Sequence, residues 1–416
     1  MISISFFSAS FKQSILEKCK RMEQENQFSI ASNALNGQVL KIDRIEAIIL
    51  KASIERPVKT SFGVMSERPS LIVEVTEQSG CIGYGEIWCN FPSFGAEYKA
   101  HLVSNEFATA LKDVEFTNPF EIYHFLQSRF EILTLQCGDR GALSQIIAGI
   151  DQAVWDCFGR LAGKSISTIF GAKGKSITAY ASGIHPADVE EKVQQAIKAG
   201  YQAAKVKVGF SPELDESGVR RARELLGPKR SLMTDANQGW RSVEEASKEL
   251  KILEVYNLTW IEEALPSNRK IDEWQALKSI STIRLAGGEN AATLNDLTQF
   301  RDAKVFNFIQ PDIGKIGGFS GLLNIFSGVI AQDVVYCPHW LGGGLGLAAS
   351  AHLLNIIGGD GCLEVDVNDN PLRDEMGDWK PELDQNGEVE VPKKAGIGLT
   401  PDYVHLEQMG INITRL

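Results

Sequence analysis

The chain has 416 residues, 44% hydrophobic and 23% charged, a balance that fits a folded protein of more than one unit and excludes a disordered or fibrous one. Its 42 basic residues against 53 acidic ones leave a net charge of -11, which repels polyanions and argues against nucleic acid as a partner. The longest apolar stretches, such as Leu345 to Ile357, are interrupted and too short to cross a membrane.

Residues 1–38 read as an N-terminal extension. A short apolar patch runs into mixed charges with no basic start or cleavage site, unlike a signal peptide, and Met22 offers a second start. The seven cysteines (Cys19, Cys81, Cys89, Cys137, Cys157, Cys337 and Cys362) are scattered without a CxxC pair, the pattern of a reduced cytoplasmic protein that binds no zinc.

Residues 39–165 read as an α+β unit. KIDRIEAIILKAS and SLIVEVTEQSG are strand-like runs expected to pair antiparallel, the second ending in turn chemistry at Ser79-Gly80. Two loops rich in Gly, Pro and aromatic residues, PVKTSFGVMSERP and WCNFPSFGAEY, are candidates for shaping a binding site through Phe62, Trp88, Asn90 and Phe91. In ALSQIIAGIDQAVWDCFGRLAG the apolar residues Ile146, Ile147, Ile150, Ala153, Val154 and Cys157 return at helical spacing until Gly163.

Over residues 166–367 short apolar strands alternate with amphipathic helices, the signature of parallel βα units. Eight strands are expected: ITAYASG, AAKVKVG, SLMTDAN, LTWIEEA, IRLAGGE, FNFIQPD, VVYCPHW and CLEVDV, with Ser242 to Glu245 a capping box at one helix start. The fold class expected is α/β, a modified (β/α)8 TIM-like barrel with an α+β capping domain. Residues 368–416 are expected to return to that capping domain.

Charged residues cluster at the C-terminal ends of these strands, the side on which barrel active sites are built. Lys205 and Lys207 are two apart, so a strand points both ammonium groups to one face; each is expected to lower the other's pKa and favour a neutral amine able to act as a base. Asp235, Glu262 and Glu289 end the next three strands and are expected to converge on one point. An all-oxygen ligand set suits Mg2+ first and Mn2+ second. Asn237 supports the site by hydrogen bonding, and Glu263 faces the other way in a structural role. Asp312 and His339 end two later strands, and an Asp beside a His fixes its tautomer for general acid/base work. Glu364 is a candidate acid or hydrogen-bond donor, His185 a candidate substrate contact, and Lys315 is open between ion pair and substrate contact. The run Gly342 to Gly346 lacks the flanking order of a phosphate loop, and tight packing beside His339 explains it instead.

Taken together, Lys205-Val-Lys207, Asp235, Glu262, Glu289, Asp312 and His339 resemble the enolase superfamily, and within it the mandelate racemase subgroup. The resemblance runs from about residue 40 to 400 and includes GIDQAVWD and KIGG. It implies a capping domain made by both chain ends, metal ligands at Asp235, Glu262 and Glu289, a base at Lys207, a contact from Lys205 to the substrate carboxylate, and a His339–Asp312 dyad. One departure is that Ala264 and Leu265 stand between the two acids and Pro266, where the subgroup commonly has Pro directly after them. The activity implied is Mg2+-dependent removal of the proton α to a carboxylate, most readily in the dehydration of a sugar acid to a 2-keto-3-deoxy acid. Racemisation or epimerisation of an α-hydroxy acid is the alternative, and a metal-binding scaffold without turnover a remote one. Cycloisomerisation, as in the muconate branch, is set aside because that branch lacks the dyad in this form. The expected partner is a small anionic carboxylate, with no nucleic acid or membrane, and a homo-oligomer is implied by the resemblance.

Overall fold

The computed structural model describes residues 33–61, 63–172, 174, 176–326 and 334–416. Residues 1–32 of the expected extension and Phe62 of the first loop lie outside the described residues.

A twisted antiparallel sheet comes first. Strand β1 (Leu40–Lys59) pairs with β2 (Val64–Glu77), β2 with β3 (Ile82–Ile87), and the two-residue β4 (Glu115–Phe116) with the start of β1. The expected binding loop 57–69 is therefore mostly strand, closed by a turn in which Thr60 N donates to the carbonyl of Gly63. Pro57 and Pro69 hid this from the sequence. Pro57 lies in the register shift between Ser53 and Val58, and Pro69 lies beyond the reach of β3, both places where a strand tolerates a residue without an N–H. The missed β3 carries two glycines for a packing reason. A Cβ on Gly85 would stand 2.0 Å from the carbonyl oxygen of Gly149 on the helix Arg140–Leu161. That helix, started by Asp139 accepting from Ala142 N, buries the predicted Ile146, Ile150, Val154 and Cys157 against the sheet.

The barrel follows as eight parallel strands: β5 (Ser176–Ile184), β6 (Ala203–Lys207), β7 (Ser231–Asp235), β8 (Ile261–Glu262), β9 (Leu285–Gly287), β10 (Phe308–Ile309), β11 (Val335–Tyr336) and β12 (Leu363–Asp366). All eight match the runs read from sequence. An α-helix follows each of the first seven strands, and β12 pairs back onto β5; among the described residues no ladder joins β11 to β12. Past β12 the chain forms the one-turn helix Pro371–Asp374, then β13 (Glu388–Glu390), antiparallel to β5, the short helix Tyr403–Gln408, and β14 (Asn412–Arg415), antiparallel to β1. The expected capping box is half formed: Ser242 Oγ accepts from Glu245 N, while the Glu245 carboxylate takes Arg241 N one residue early.

Buried polar contacts join the two units at the barrel mouth. Gln152 Nε2 donates to the carbonyls of Glu86 and Ile313 at 3.1 Å each, and Trp88 N donates to the Gly314 carbonyl. Glu86 accepts from Ser70 Oγ and from the N–H groups of Gly343 and Gly346. Burial pushes its carboxyl up to about 7 against those bonds. Arg68 of β2 forms an ion pair with Asp366 of β12, the two side chains only 3% and 5% exposed. Arg68→Met leaves Asp366 charged and buried with the amide donors of Asn368, and is expected to cost about 3–5 kcal/mol, read from the denaturant midpoint. A loss below about 1 kcal/mol would show that Asn368 alone suffices to hold the carboxylate.

Candidate active site

The barrel interior is plugged by Tyr180, Ala203, Met233, Trp260, Ala286, Phe308 and Cys337, one from each of seven consecutive strands or their immediate ends. Side chains on one face of a strand recur every second residue. Two residues further along, the same inward positions are Ser182, Lys205, Asp235, Glu262, Gly288, Gln310 and His339, with Glu364 two beyond Cys362. All eight are buried. An apolar floor thus carries a polar layer directly above it, at the C-terminal ends of the strands.

Within that layer acids and bases are matched. Lys205, 1% exposed, donates to both oxygens of Glu262 at 2.7 Å and pairs with Glu364 at 2.7 Å. Lys207 donates to Asp235 Oδ2 at 2.7 Å, and Asp235 is also held by the backbone N and the Nδ2 of Asn237. Glu262 accepts from Gln310 Nε2 at 2.7 Å. Glu289 accepts from Asn290 Nδ2 at 2.7 Å and lies 3.5 Å from Lys315 Nζ. Its Oε2 touches His339 Nε2 at 2.5 Å but lies outside hydrogen-bond alignment. His339 Nδ1 meets Asp312 Oδ2 at 2.7 Å, and Asp312 Oδ1 accepts from the N–H groups of Gly314 and Lys315. Glu263 does not face the other way as expected: it accepts from Asn290 Nδ2, the donor it shares with Glu289, and so stands beside the acid layer.

Three expectations change. The lysines are not neutral amines: burial opposes their charge, but Glu262 and Glu364 hold Lys205 well above the usual ammonium range, and Asp235 raises Lys207 despite its lysine neighbour. Glu364 is no acid or donor. Burial resists its ionisation, yet Lys205 and His339 bring it down to about 2, and it accepts from Ser182 Oγ and Trp340 N. The three strand-end acids do not meet at a point as they stand, since among the described residues no three such groups are gathered to hold an ion; Lys205, Lys207 and His339 stand against them one by one. His339 itself, charged against the cost of burial by Glu289 and Glu364, is raised to about 10.

The acids nonetheless suit a hard cation. Asp235 and Glu262 are direct cross-strand partners in register, and Glu289 lies just past the end of the neighbouring β9 with a buried oxygen that no aligned donor reaches. Asn237 Oδ1 is likewise buried and unpartnered.

Above this layer opens a cleft of ≈ 390 Å³ to which Lys207, Asn237, Glu289, Lys315 and His339 contribute from the barrel, and Thr60, Ser61, Trp88, Asn90 and Phe91 from the capping unit. The predicted second loop is therefore in place: Asn90 Nδ2 donates to the Leu341 carbonyl, and the Trp88 ring packs 4.6 Å from Lys315 Nζ. The first hairpin reaches the same place by its tip, where Ser61 Oγ donates to the carbonyls of Ala236 and Asn237. Lys205, Glu262, Asp312 and Glu364 lie beneath the cleft wall. His185 is not part of it. Its Nδ1 accepts from Ala187 N and its ring packs edge-on to Phe210 at 4.6 Å. The glycines after His339 serve packing as expected, for a Cβ on Gly346 would fall 2.0 Å from the Trp340 ring. Sequence reasoning missed Gln310 and Ser182, which counting in twos from Phe308 and Tyr180 would have found.

The family model described as enolase C-terminal domain-like matches residues 188–404, and that of the mandelate racemase/muconate lactonizing enzyme N-terminal domain matches 44–171. Among solved structures, a mandelate racemase/muconate lactonizing enzyme from Bordetella bronchiseptica RB50 is 38% identical with a TM-score of 0.83, covering 89% of this chain and 99% of that one. An enolase from Bradyrhizobium complexed with magnesium and mandelic acid is 27% identical with a TM-score of 0.77, covering 89% and 98%. Among curated relatives, the D-galactarolactone cycloisomerase of Agrobacterium fabrum is 27% identical over 86% of this chain and 96% of its own. The arabinonate dehydratase of Saccharolobus solfataricus is 26% identical over 81% and 90%. A cycloisomerase among the relatives removes the family ground for setting that reaction aside. No described helix is long and apolar enough to cross a membrane.

Proposed function

The chain belongs to the enolase superfamily, in its mandelate racemase subgroup, and from that premise we propose that it dehydrates a sugar acid to a 2-keto-3-deoxy acid by removing the proton α to the carboxylate. The observation that carries this reading is that Lys207, from the end of β6, and His339, just past β11 and held from beneath by Asp312, line one cleft.

A proton α to a carboxylate is hard to remove because the product is a dianionic enediolate. Asp235, Glu262 and Glu289 would hold Mg2+, which would supply positive charge against that dianion. Support for magnesium comes from the oxygen-only donor set and from the magnesium in the Bradyrhizobium relative. Lys207 is held charged by Asp235; with Asp235 turned to the ion it would lose that partner and give a proton to solvent, and its neutral Nζ would accept the α-proton, while His339 Nε2 delivers a proton to the β-hydroxyl, which leaves as water; the resulting enol tautomerises to the 2-keto acid. Asp312 holds His339 by Nδ1 and leaves Nε2 facing the cleft. Lys205, spent on Glu262 and Glu364 beneath the wall, neutralises the buried acids and is the next ammonium inward from the substrate carboxylate.

The arabinonate dehydratase among the relatives and the polar cleft wall support a polyhydroxy substrate. Racemisation is the second reading, favoured by the presence of both Lys207 and His339 at the cleft, since a base on each side of one carbon interconverts its configurations. Proton NMR in D2O with Mg2+ over hexonic, pentonic and hexaric acids, simple α-hydroxy acids and sugar lactones separates these. A 2-keto-3-deoxy product establishes dehydration, whereas α-deuteration without loss of water moves the assignment to racemase or epimerase. Ring opening of a lactone without water loss moves it to cycloisomerase, and no reaction across the panel defeats the reading.

A further inference from the structure

Five ionisable side chains line the cleft: Lys207, Arg241, Glu289, Lys315 and His339. Four of them are engaged with one another or with the acids below. Lys207 is on Asp235, Lys315 on Asn290 and Glu289, and His339 on Asp312 and Glu289. Arg241 differs. Its backbone is fixed at both ends, N–H donating to Glu245 Oε2 at 2.7 Å and carbonyl accepting from Arg269 at 2.6 Å. Its guanidinium makes no hydrogen bond or ion pair among the described residues, and the nearby Glu245 carboxylate is used on the backbone.

The loop that carries Arg241 is also built rather than slack. It leaves β7 directly after Asp235, passes through Asn237 and Gln238 at positive φ of 45° and 62°, and is pinned where Gln238 Oε1 accepts from Ser267 N. Asparagine enters that region readily, but glutamine holds it where its surroundings impose it. The result is a cation presented from a fixed backbone to a cleft whose other cations are already committed. A planar guanidinium with free donors recognises carboxylate or phosphate by paired hydrogen bonds.

We propose that Arg241 binds a second anionic group at the far end of the substrate, so that the substrate class is a sugar acid anionic at both ends, a dicarboxylate or a phosphorylated acid. This rests on the function proposed above for placing the first carboxylate at the strand ends. An acid with one anionic end leaves the Arg241 donors to water; one with two fills the cleft from the strand ends to this loop.

Binding is measured by calorimetry with Mg2+ on the Lys207→Ala protein, which reads affinity without turnover, using glucarate, 6-phosphogluconate and gluconate, with galactarate and galactonate as a second matched pair. A doubly anionic acid is expected to bind about 30-fold more tightly than its monoanionic partner, the span of a charge-assisted hydrogen-bonded pair. Adding Arg241→Gln should bring that ratio close to one, and Arg241→Lys should restore part of it. Preference for glucarate or galactarate identifies the far group as carboxylate, and preference for 6-phosphogluconate identifies it as phosphate. Equal or unmeasurable binding of all the acids, or a ratio that survives Arg241→Gln, overturns the proposal. The two readings fail separately: α-deuteration by the unmodified protein reports on the chemistry, and the Arg241-dependent ratio reports on the far anion.

Discussion

Lys207→Ala is expected to lower kcat by about 10²–10⁴-fold on whichever acid the protein turns over, the range a positioned proton acceptor supplies. Its side chain lines the cleft from the end of β6, whereas the buried Lys205 is fixed between Glu262 and Glu364 and cannot replace it. The substitution leaves Asp235 with its two bonds from Asn237, so the fold and the ion site are expected to persist, with calorimetry still reading Mg2+. The companion variant His339→Asn separates the two halves of the reaction. If His339 delivers the proton to a departing hydroxyl, His339→Asn still exchanges the α-hydrogen with D2O through Lys207 but releases no water. If His339 acts on the α-carbon, exchange of one configuration is lost. A Lys207→Ala protein that exchanges within tenfold of the parent would sink the assignment of the base.

Removal of the metal is expected to be as severe. Dialysis against EDTA should abolish turnover, and Mg2+ should restore it. At about 100 times its Kd the ion should also stabilise the fold by about 2.7 kcal/mol through mass action alone. Asp235→Asn and Glu289→Gln should each weaken that stabilisation along with activity. In the metal-free chain every one of the three acids has a basic neighbour, Lys207 on Asp235, Lys205 on Glu262, and Lys315 with His339 on Glu289. The protein is therefore expected to remain folded after chelation, and loss of activity without unfolding is the result to look for. Full turnover after exhaustive chelation would defeat the metal reading. Mn2+, which takes the same oxygen ligands, is the second ion to add back.

Most of the barrel was legible because each strand is a short apolar run ending in a charged or hydrogen-bonding residue, and a parallel strand covered on both faces has no other place for one. Lys207, Asp235, Glu262 and His339 announced themselves in that way. Gln310 and Ser182 did not, because a neutral polar residue in an apolar run carries no such contrast. The charge states were misread for a physical reason. Along the sequence Lys205 has only Lys207 as an ionised neighbour, whereas in the barrel it meets Glu262 and Glu364 from strands far away in the chain, both at 2.7 Å, and those attractions outweigh the repulsion. Convergence of the acids was overstated on the same ground, since spacing along strands says nothing of which side chain fills the gap between them. The hairpin tip and β3 were obscured by Pro57, Pro69, Gly83 and Gly85, residues whose tolerance depends on neighbours that a single segment does not reveal.

The pairing of β14 with β1 makes one edge of the first sheet depend on residues far along the chain. Ile413 sits opposite Leu50, and Leu416 exchanges backbone hydrogen bonds with Ala47, so β14 covers a row of backbone groups that β2 does not reach. A chain from which residues 412–416 are removed would leave that edge of β1 open, with unpaired backbone groups available to any other extended chain. The sheet that shapes the cleft would then itself become a place for edge-to-edge association.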